Sequence, residues 1–259
     1  MKPTIQGETD LSRHRGAKAQ KRMQAYESYG NENVNTIPFK PLIKQRTKPV
    51  ELLPKTRNQE KLVLQLLDDQ QHVVVALGPA GTGKTYLAMQ AAVRAFQRGE
   101  CERIVLTRPA VTVEDEQHGF LPGSLVQKME PWTRPLLDVL REHYRPQDIT
   151  TMLEDQTIEI SPLAFMRGRT FKRSWIIADE MQNATPSQMK MLLTRIGSGS
   201  KIVVTGDVEQ TDRTTNQNGL LDLGQRLKAQ SVNGLSICEL GSRDIQRHPI
   251  ITGVLKLYE

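Results

Sequence analysis

The chain has 259 residues, 37% of them hydrophobic and 25% charged, the balance of an ordinary soluble protein with room for one sizeable core or two small ones. No apolar run is long enough to cross a membrane and the N-terminus lacks the apolar stretch of an export signal, so the expected location is cytoplasmic with no membrane partner. Cys101 and Cys238 stand apart without the paired spacing of a zinc site, and fit a reduced compartment as small buried residues.

The net charge of +6 is localised: residues 1–50 hold ten Lys/Arg against four Asp/Glu, which accounts for all of it. This stretch is poor in aliphatic residues and brings Arg13, Arg15, Lys18, Lys21 and Arg22 close together. It reads as a flexible basic arm over 1–55, with two interpretations open: a segment that follows a nucleic-acid backbone, or a solvated tail with no specific partner. From Thr56 onward strand-like and helix-like segments alternate. That pattern predicts an α/β domain over 56–259, a mostly parallel sheet with helices on both faces.

Thr56 opens the first helix, whose apolar side holds Leu62, Val63, Leu66 and Leu67. Gln59 fits two readings here: the far half of a capping box begun by Thr56, or an amide that recognises an adenine edge. Residues 72–77 are β-branched and apolar, stop at glycine and read as a buried strand. They run into Gly78, Pro79, Ala80, Gly81, Thr82, Gly83, Lys84 and Thr85, which match the G-x-x-x-x-G-K-[ST] phosphate-binding loop. After the loop, Leu87, Ala88, Ala91, Ala92, Ala95 and Phe96 recur at helical spacing, and Gly99 supplies a stop. Strand, loop and helix stand in the order that binds a nucleoside triphosphate. Main-chain N–H groups and the helix N-terminus hold the phosphates, Lys84 reaches the β- and γ-phosphates, and the Thr85 hydroxyl coordinates Mg²⁺. A nucleoside triphosphate and Mg²⁺ are therefore the expected cofactors.

Further strands are expected at 103–107, 157–160, 174–179, 201–205 and 235–240, with polar motifs at their C-terminal ends, where open α/β sheets bind ligands. Residues 109–146 form a long insertion with a helix through Trp132, Leu136, Leu137 and Leu140, read as a lid or partner surface rather than core. Strand 174–179 ends in two acids. Asp179 is the expected Mg²⁺ ligand, through water, and Glu180 the group that orients or deprotonates an attacking water. Neighbouring side chains on a strand face opposite ways, so both acids serve one site only if the strand stops there, as Asn183, Thr185 and Pro186 indicate. Strand 201–205 leads through Gly206 and Asp207 to Gln210. Its amide both accepts and donates, which makes it the candidate γ-phosphate sensor.

Taken together, GPAGTGKT, LTRP at 106–109, GFLPG at 119–123, FMRGRTF at 165–171, ADEMQN at 178–183, MKMLLTRIG at 189–197 and TGDVEQTD at 205–212 resemble the PhoH-like family. The resemblance covers roughly Thr56 to the C-terminus. It implies a P-loop NTPase with one RecA-like module similar to the first such domain of superfamily-one helicases, often described as phosphate-starvation-inducible, with ATP hydrolysis linked to RNA or single-stranded DNA. Met181, Arg213 with Thr214, and Asn218 depart from the family's commoner residues. The resemblance also puts adenine recognition at Gln59 and nucleic-acid contacts at Arg108, Arg167 and Arg169, beside the aromatic faces of Phe120, Phe165 and Phe171. Those phenylalanines equally fit a core role and the arginines a structural one. For the γ-phosphate arginine, the motif around 243–249 ranks Arg247 first, Arg195 second and Arg243 third. One RecA-like unit needs a neighbour to flank its nucleotide, so a ring-like homo-oligomer, a hexamer, is expected. The leading function is a hydrolase; the second is an ATP-gated nucleic-acid-binding scaffold with slow or no turnover, and the third, for which the sequence offers no acceptor pocket, a small-molecule kinase.

Overall fold

A computed structural model describes residues 49–109, 125–210 and 218–246; most of the basic arm, the GFLPG motif with Phe120, and the segments 211–217 and 247–259 lie outside the described residues. The described chain runs α1 (Arg57–Leu67), β1 (Val73–Leu77), α2 (Lys84–Gln97), β2 (Arg103–Thr107), α3 (Leu125–Arg141), α4 (Pro146–Glu154), β3 (Ile158–Ile160), β4 (Ser174–Ala178), α5 (Pro186–Leu193), β5 (Lys201–Gly206), α6 (Gly219–Ala229) and β6 (Leu235–Glu239). Each expected strand is present within a residue of its expected ends. All neighbours are parallel, in the order β3-β2-β4-β5-β1-β6.

The strands read as near-continuous apolar runs because both faces of the sheet are covered. Every residue of β4 and β5 is buried. Alternation divides them between two cores. Val74, Ala76, Ile104, Leu106, Trp175, Ile177 and Val203 pack with α1, α2 and α3. Val73, Val75, Val105, Ile176, Ala178, Ile202 and Val204 pack with α5 and α6 on the other face. Lys201 starts β5 inside this packing, 8% exposed. Its ammonium donates to the Leu66 and Asp68 carbonyls at 2.6 and 2.9 Å, capping the C-terminus of α1, and burial lowers its pKa.

Register sets the level of the ligand-bearing ends. Leu77 lies opposite Gly206, Ala178 opposite Val204 and Thr107 opposite Ala178, so β1, β5, β4 and β2 stop side by side. β5 separates β1 from β4, which leaves a gap of about two strand spacings, roughly 10 Å, between the phosphate loop and the acids.

Two expectations are corrected. The core begins before Thr56, because Val50 is buried in it and Leu52 packs against it, inside the segment assigned to the arm. The described second half of the 109–146 insertion is core as well: Leu136, Val139, Leu140 and Tyr144 are buried in the cluster that holds α2. An amphipathic helix with so full an apolar stripe gains more by covering the sheet than by standing off it. Leu140→Ala is expected to lower unfolding free energy by about 2–5 kcal/mol in urea titrations, as for a core leucine; a loss below about 0.5 kcal/mol would return α3 to the surface.

Candidate nucleotide site

The loop after β1 is built by glycine. Gly78 has φ 143° and its missing Cβ would lie 2.3 Å from the Leu240 carbonyl oxygen, so the chain leaving β6 passes too close for any side chain. Gly81 and Gly83 take left-handed φ of 84° and 83°, which glycine adopts without strain. Gly83 is the N-cap of α2 and supplies no side-chain cap, so the first N–H groups of that helix are left to another acceptor. The Lys84 ammonium donates to the Gly78 and Pro79 carbonyls at 2.6 and 2.8 Å, lying along the loop. Thr82 donates its hydroxyl to the Pro79 carbonyl.

Across the gap, Asp179 gathers both neighbours. Its Oδ1 accepts the Thr85 hydroxyl at 2.8 Å and the Thr205 hydroxyl at 2.5 Å, while its N–H extends the β2–β4 ladder to the Thr107 carbonyl. Thr205 is fully buried and stands between the loop helix and β4. The sequence reading placed it in a strand and gave it no role; its only signal was a hydroxyl one residue before Gly206-Asp207. Glu180 then takes a left-handed backbone, φ 54° and ψ 39°, uncommon for a residue with a side chain. The strand stops and a 3₁₀ turn, Met181–Asn183, follows, so the two acids line one cleft instead of opposite faces.

That cleft, about 240 Å³, is lined by Gly81, Lys84, Thr85, Asp179, Glu180 and Gln210, among others. It is smaller than the ~300–1,000 Å³ of whole small-molecule pockets and suits the polyphosphate end of a nucleotide. A carboxylate beside a threonine hydroxyl is the hard-oxygen set that Mg²⁺ prefers. No group of three or more His, Cys, Asp or Glu poised for a metal occurs among the described residues. On the rim, Tyr86 donates to Glu142 at 3.0 Å; burial and this carboxylate raise its pKa.

The remaining expected residues divide. Gln59 is 4% exposed: Oε1 accepts the Lys55 N–H at 2.7 Å and Nε2 donates to the Thr82 carbonyl at 3.0 Å. Thr56 caps α1 as expected, accepting the Gln59 N–H, but the Gln59 amide braces the phosphate loop instead of closing a capping box. Gln210 is exposed on the cleft, its N–H held by the Asp207 carbonyl. Within its own chain the Arg195 guanidinium donates to the Met191 and Arg169 carbonyls and the Thr194 hydroxyl, outside the cleft lining. Arg243 is exposed, while Arg247 lies outside the described residues; Gln246, just before it, donates its N–H to the Gly81 carbonyl at 2.8 Å.

Arg169 pairs with Glu159 through both terminal nitrogens and lies 4.5 Å from the centroid of the buried Phe171 ring. Burial alone would raise the Glu159 pKa; its bonds to Arg169 and Arg103 outweigh that and lower it. Arg108 is half-buried at the end of β2. Arg167 and Phe165 are exposed, two residues apart on one turn.

The parallel sheet, the glycine loop and the acid-ended strand one strand away define a P-loop NTPase of the α/β class. The PhoH-like protein family model matches residues 51–259, and the chain belongs to that family. The PhoH-like protein of Synechocystis sp. is 48% identical over 73% of this chain and 58% of its own length. That of Bacillus subtilis is 42% identical over 84% and 67%, and Protein PhoH of Escherichia coli K12 35% identical over 78% and 57%. The chain thus spans 57 to 67% of the length of these relatives. Among solved structures, the Pif1 helicase from Candida albicans is 14% identical, with a TM-score of 0.38, over 79% of this chain and 44% of that one, too slight a likeness to bear on function.

Gly78→Ala is expected to destabilise the chain without any nucleotide, by about 1–3 kcal/mol for backbone conformation plus the clash with Leu240. A denaturation midpoint equal to the parent's would contradict this packing.

Proposed function

We propose that the chain is a Mg²⁺-dependent ATPase that couples hydrolysis to binding or remodelling RNA or single-stranded DNA in the cytoplasm. The observation that carries turnover, as against binding alone, is Glu180 beside Asp179 on the cleft that holds Lys84 and Gln210. The glycine loop and the N-terminus of α2 bind the phosphates, and Lys84 moves from its carbonyl partners to their oxygens. Thr85, and Asp179 through water, would hold Mg²⁺, which would supply charge neutralisation to the phosphates. Glu180 accepts a proton from the attacking water and Gln210 holds that water or the γ-phosphate by its amide. Arg247, reached one residue after the Gln246 bond to the loop, is the arginine we assign to the γ-phosphate.

The nucleic-acid face falls to Arg167 and Phe165, an exposed guanidinium and ring suited to phosphate and base stacking; the Arg169 N–H closes the turn that carries them by donating to the Met166 carbonyl. The basic residues of 1–50 are a second candidate for contact with a nucleic-acid backbone, by charge alone. A single nucleotide module implies a ring of copies, a hexamer, whose interfaces flank the nucleotide.

Phosphate release should occur without any acceptor, rise with single-stranded RNA or DNA, and fall by about 10²–10⁴ in Glu180→Gln with nucleotide still bound. Equal release by parent and variant would remove Glu180 from the chemistry, and none by the parent would leave the scaffold reading. Arg167→Ala should weaken nucleic-acid binding and lower its salt slope by about 1 with stability unchanged within about 0.5 kcal/mol. Unaltered binding would move the contact elsewhere.

A further inference from the structure

Gln182 lies at the junction of the two loops that carry Glu180 and Gln210. Its side chain is 1% exposed, in a position where an apolar residue of similar length would cost less to bury. Both ends of its amide are used. Nε2 donates to Glu180 Oε2 at 2.5 Å, and Oε1 accepts the Asp207 N–H at 3.1 Å. Asp207 in turn holds the turn beyond it, its carboxylate accepting the Glu209 N–H and its carbonyl the Gln210 N–H.

Gly206 shows that the sheet end is shaped around this amide. A Cβ there would meet Gln182 Oε1 at 2.7 Å and Leu220 Cδ2 at 2.6 Å. The left-handed backbone of Glu180 aims its side chain into the cleft without fixing its rotamer, and the bond from Gln182 supplies that restraint. A hydrogen bond to an ionised carboxylate is short and directional, which suits it to the task.

We infer that Gln182 is a positioning residue that sets the Glu180 carboxylate and makes its placement depend on the 207–210 turn, so that the proton acceptor and Gln210 are presented as one unit. The inference rests on the hydrolase reading for the meaning of that placement, while the link itself is a property of the folded chain. Three variants of the full chain separate its parts. Gln182→Met removes both bonds at similar volume. Gln182→Glu keeps the acceptor for Asp207 and replaces the amide donor with a carboxyl that either repels Glu180 or shares a proton with it, impairing Glu180 as a base in both cases. Gly206→Ala displaces the amide from the other side.

Three quantities are measured: Mg²⁺-nucleotide affinity with a fluorescent ATP analogue, steady-state kcat and KM for ATP, and hydrogen exchange at the Asp207 amide. In Gln182→Met, affinity and KM stay within about twofold, kcat falls about 10–100-fold and Asp207 exchange quickens about tenfold, the range expected when a supporting hydrogen bond is lost. Gln182→Glu loses kcat at least as far but keeps Asp207 protected. Gly206→Ala follows Gln182→Met. Parental kcat in Gln182→Glu, or a loss of nucleotide affinity as large as the loss of kcat in Gln182→Met, overturns the assignment. Should the parent release no phosphate, the hydrolase reading fails on its own. The exchange arm then still tests the link: Glu180→Ala quickens Asp207 exchange if the amide joins the two loops, and parental exchange refutes it.

Discussion

One carboxylate oxygen joins the parts of this protein that matter for its chemistry. Asp179 Oδ1 receives a hydroxyl from Thr85, on the helix that follows the phosphate loop, and another from Thr205, on the strand between. The contact needs three strands to end level and β5 to lie between β1 and β4, because without that spacer Thr205 has nothing to bridge. Parallel pairing, burial on both faces and the position of α2 all serve this meeting. The bonds also orient a half-buried carboxyl group whose partners are already in place before any ligand arrives.

The surrounding polar side chains show how the site is held without a rigid cage. Gln59 braces the phosphate loop from α1, Gln182 spans the ends of β4 and β5, and Asn218 caps α6 through the Leu220 and Leu221 N–H groups. All three are nearly fully buried and bonded, as buried polar groups must be if they are not to cost stability. Glu180, like Gln156 and Arg173 elsewhere, holds a positive φ without being glycine, between β4 and the following 3₁₀ turn.

Much of this was legible in the residues. The strands were readable because a sheet buried on both faces demands short β-branched runs, and those of β1, β4 and β5 end at glycine or acid. The phosphate loop was readable because its glycines serve backbone geometry that little else satisfies. What escaped were contacts between elements distant in sequence. Nothing local marks Thr205 as a partner of Asp179, or Gln182 as a bridge. The misplaced insertion has the same cause: the stripe of Leu136, Val139 and Leu140 fits a core or a partner surface equally until the neighbouring α2 is seen. Among the arginines, Arg167 and Arg169 are alike in sequence and unlike in space, because Glu159 arrives at one and not the other.

The central claim is that Asp179, set by two threonine hydroxyls, holds the magnesium of a bound nucleotide. Calorimetric titration of ATP with and without Mg²⁺ into the parent and Asp179→Asn tests it most directly. The account predicts that Mg²⁺ tightens binding in the parent and that the variant loses most of this gain while still binding metal-free ATP. An equal gain from Mg²⁺ in both proteins would contradict it.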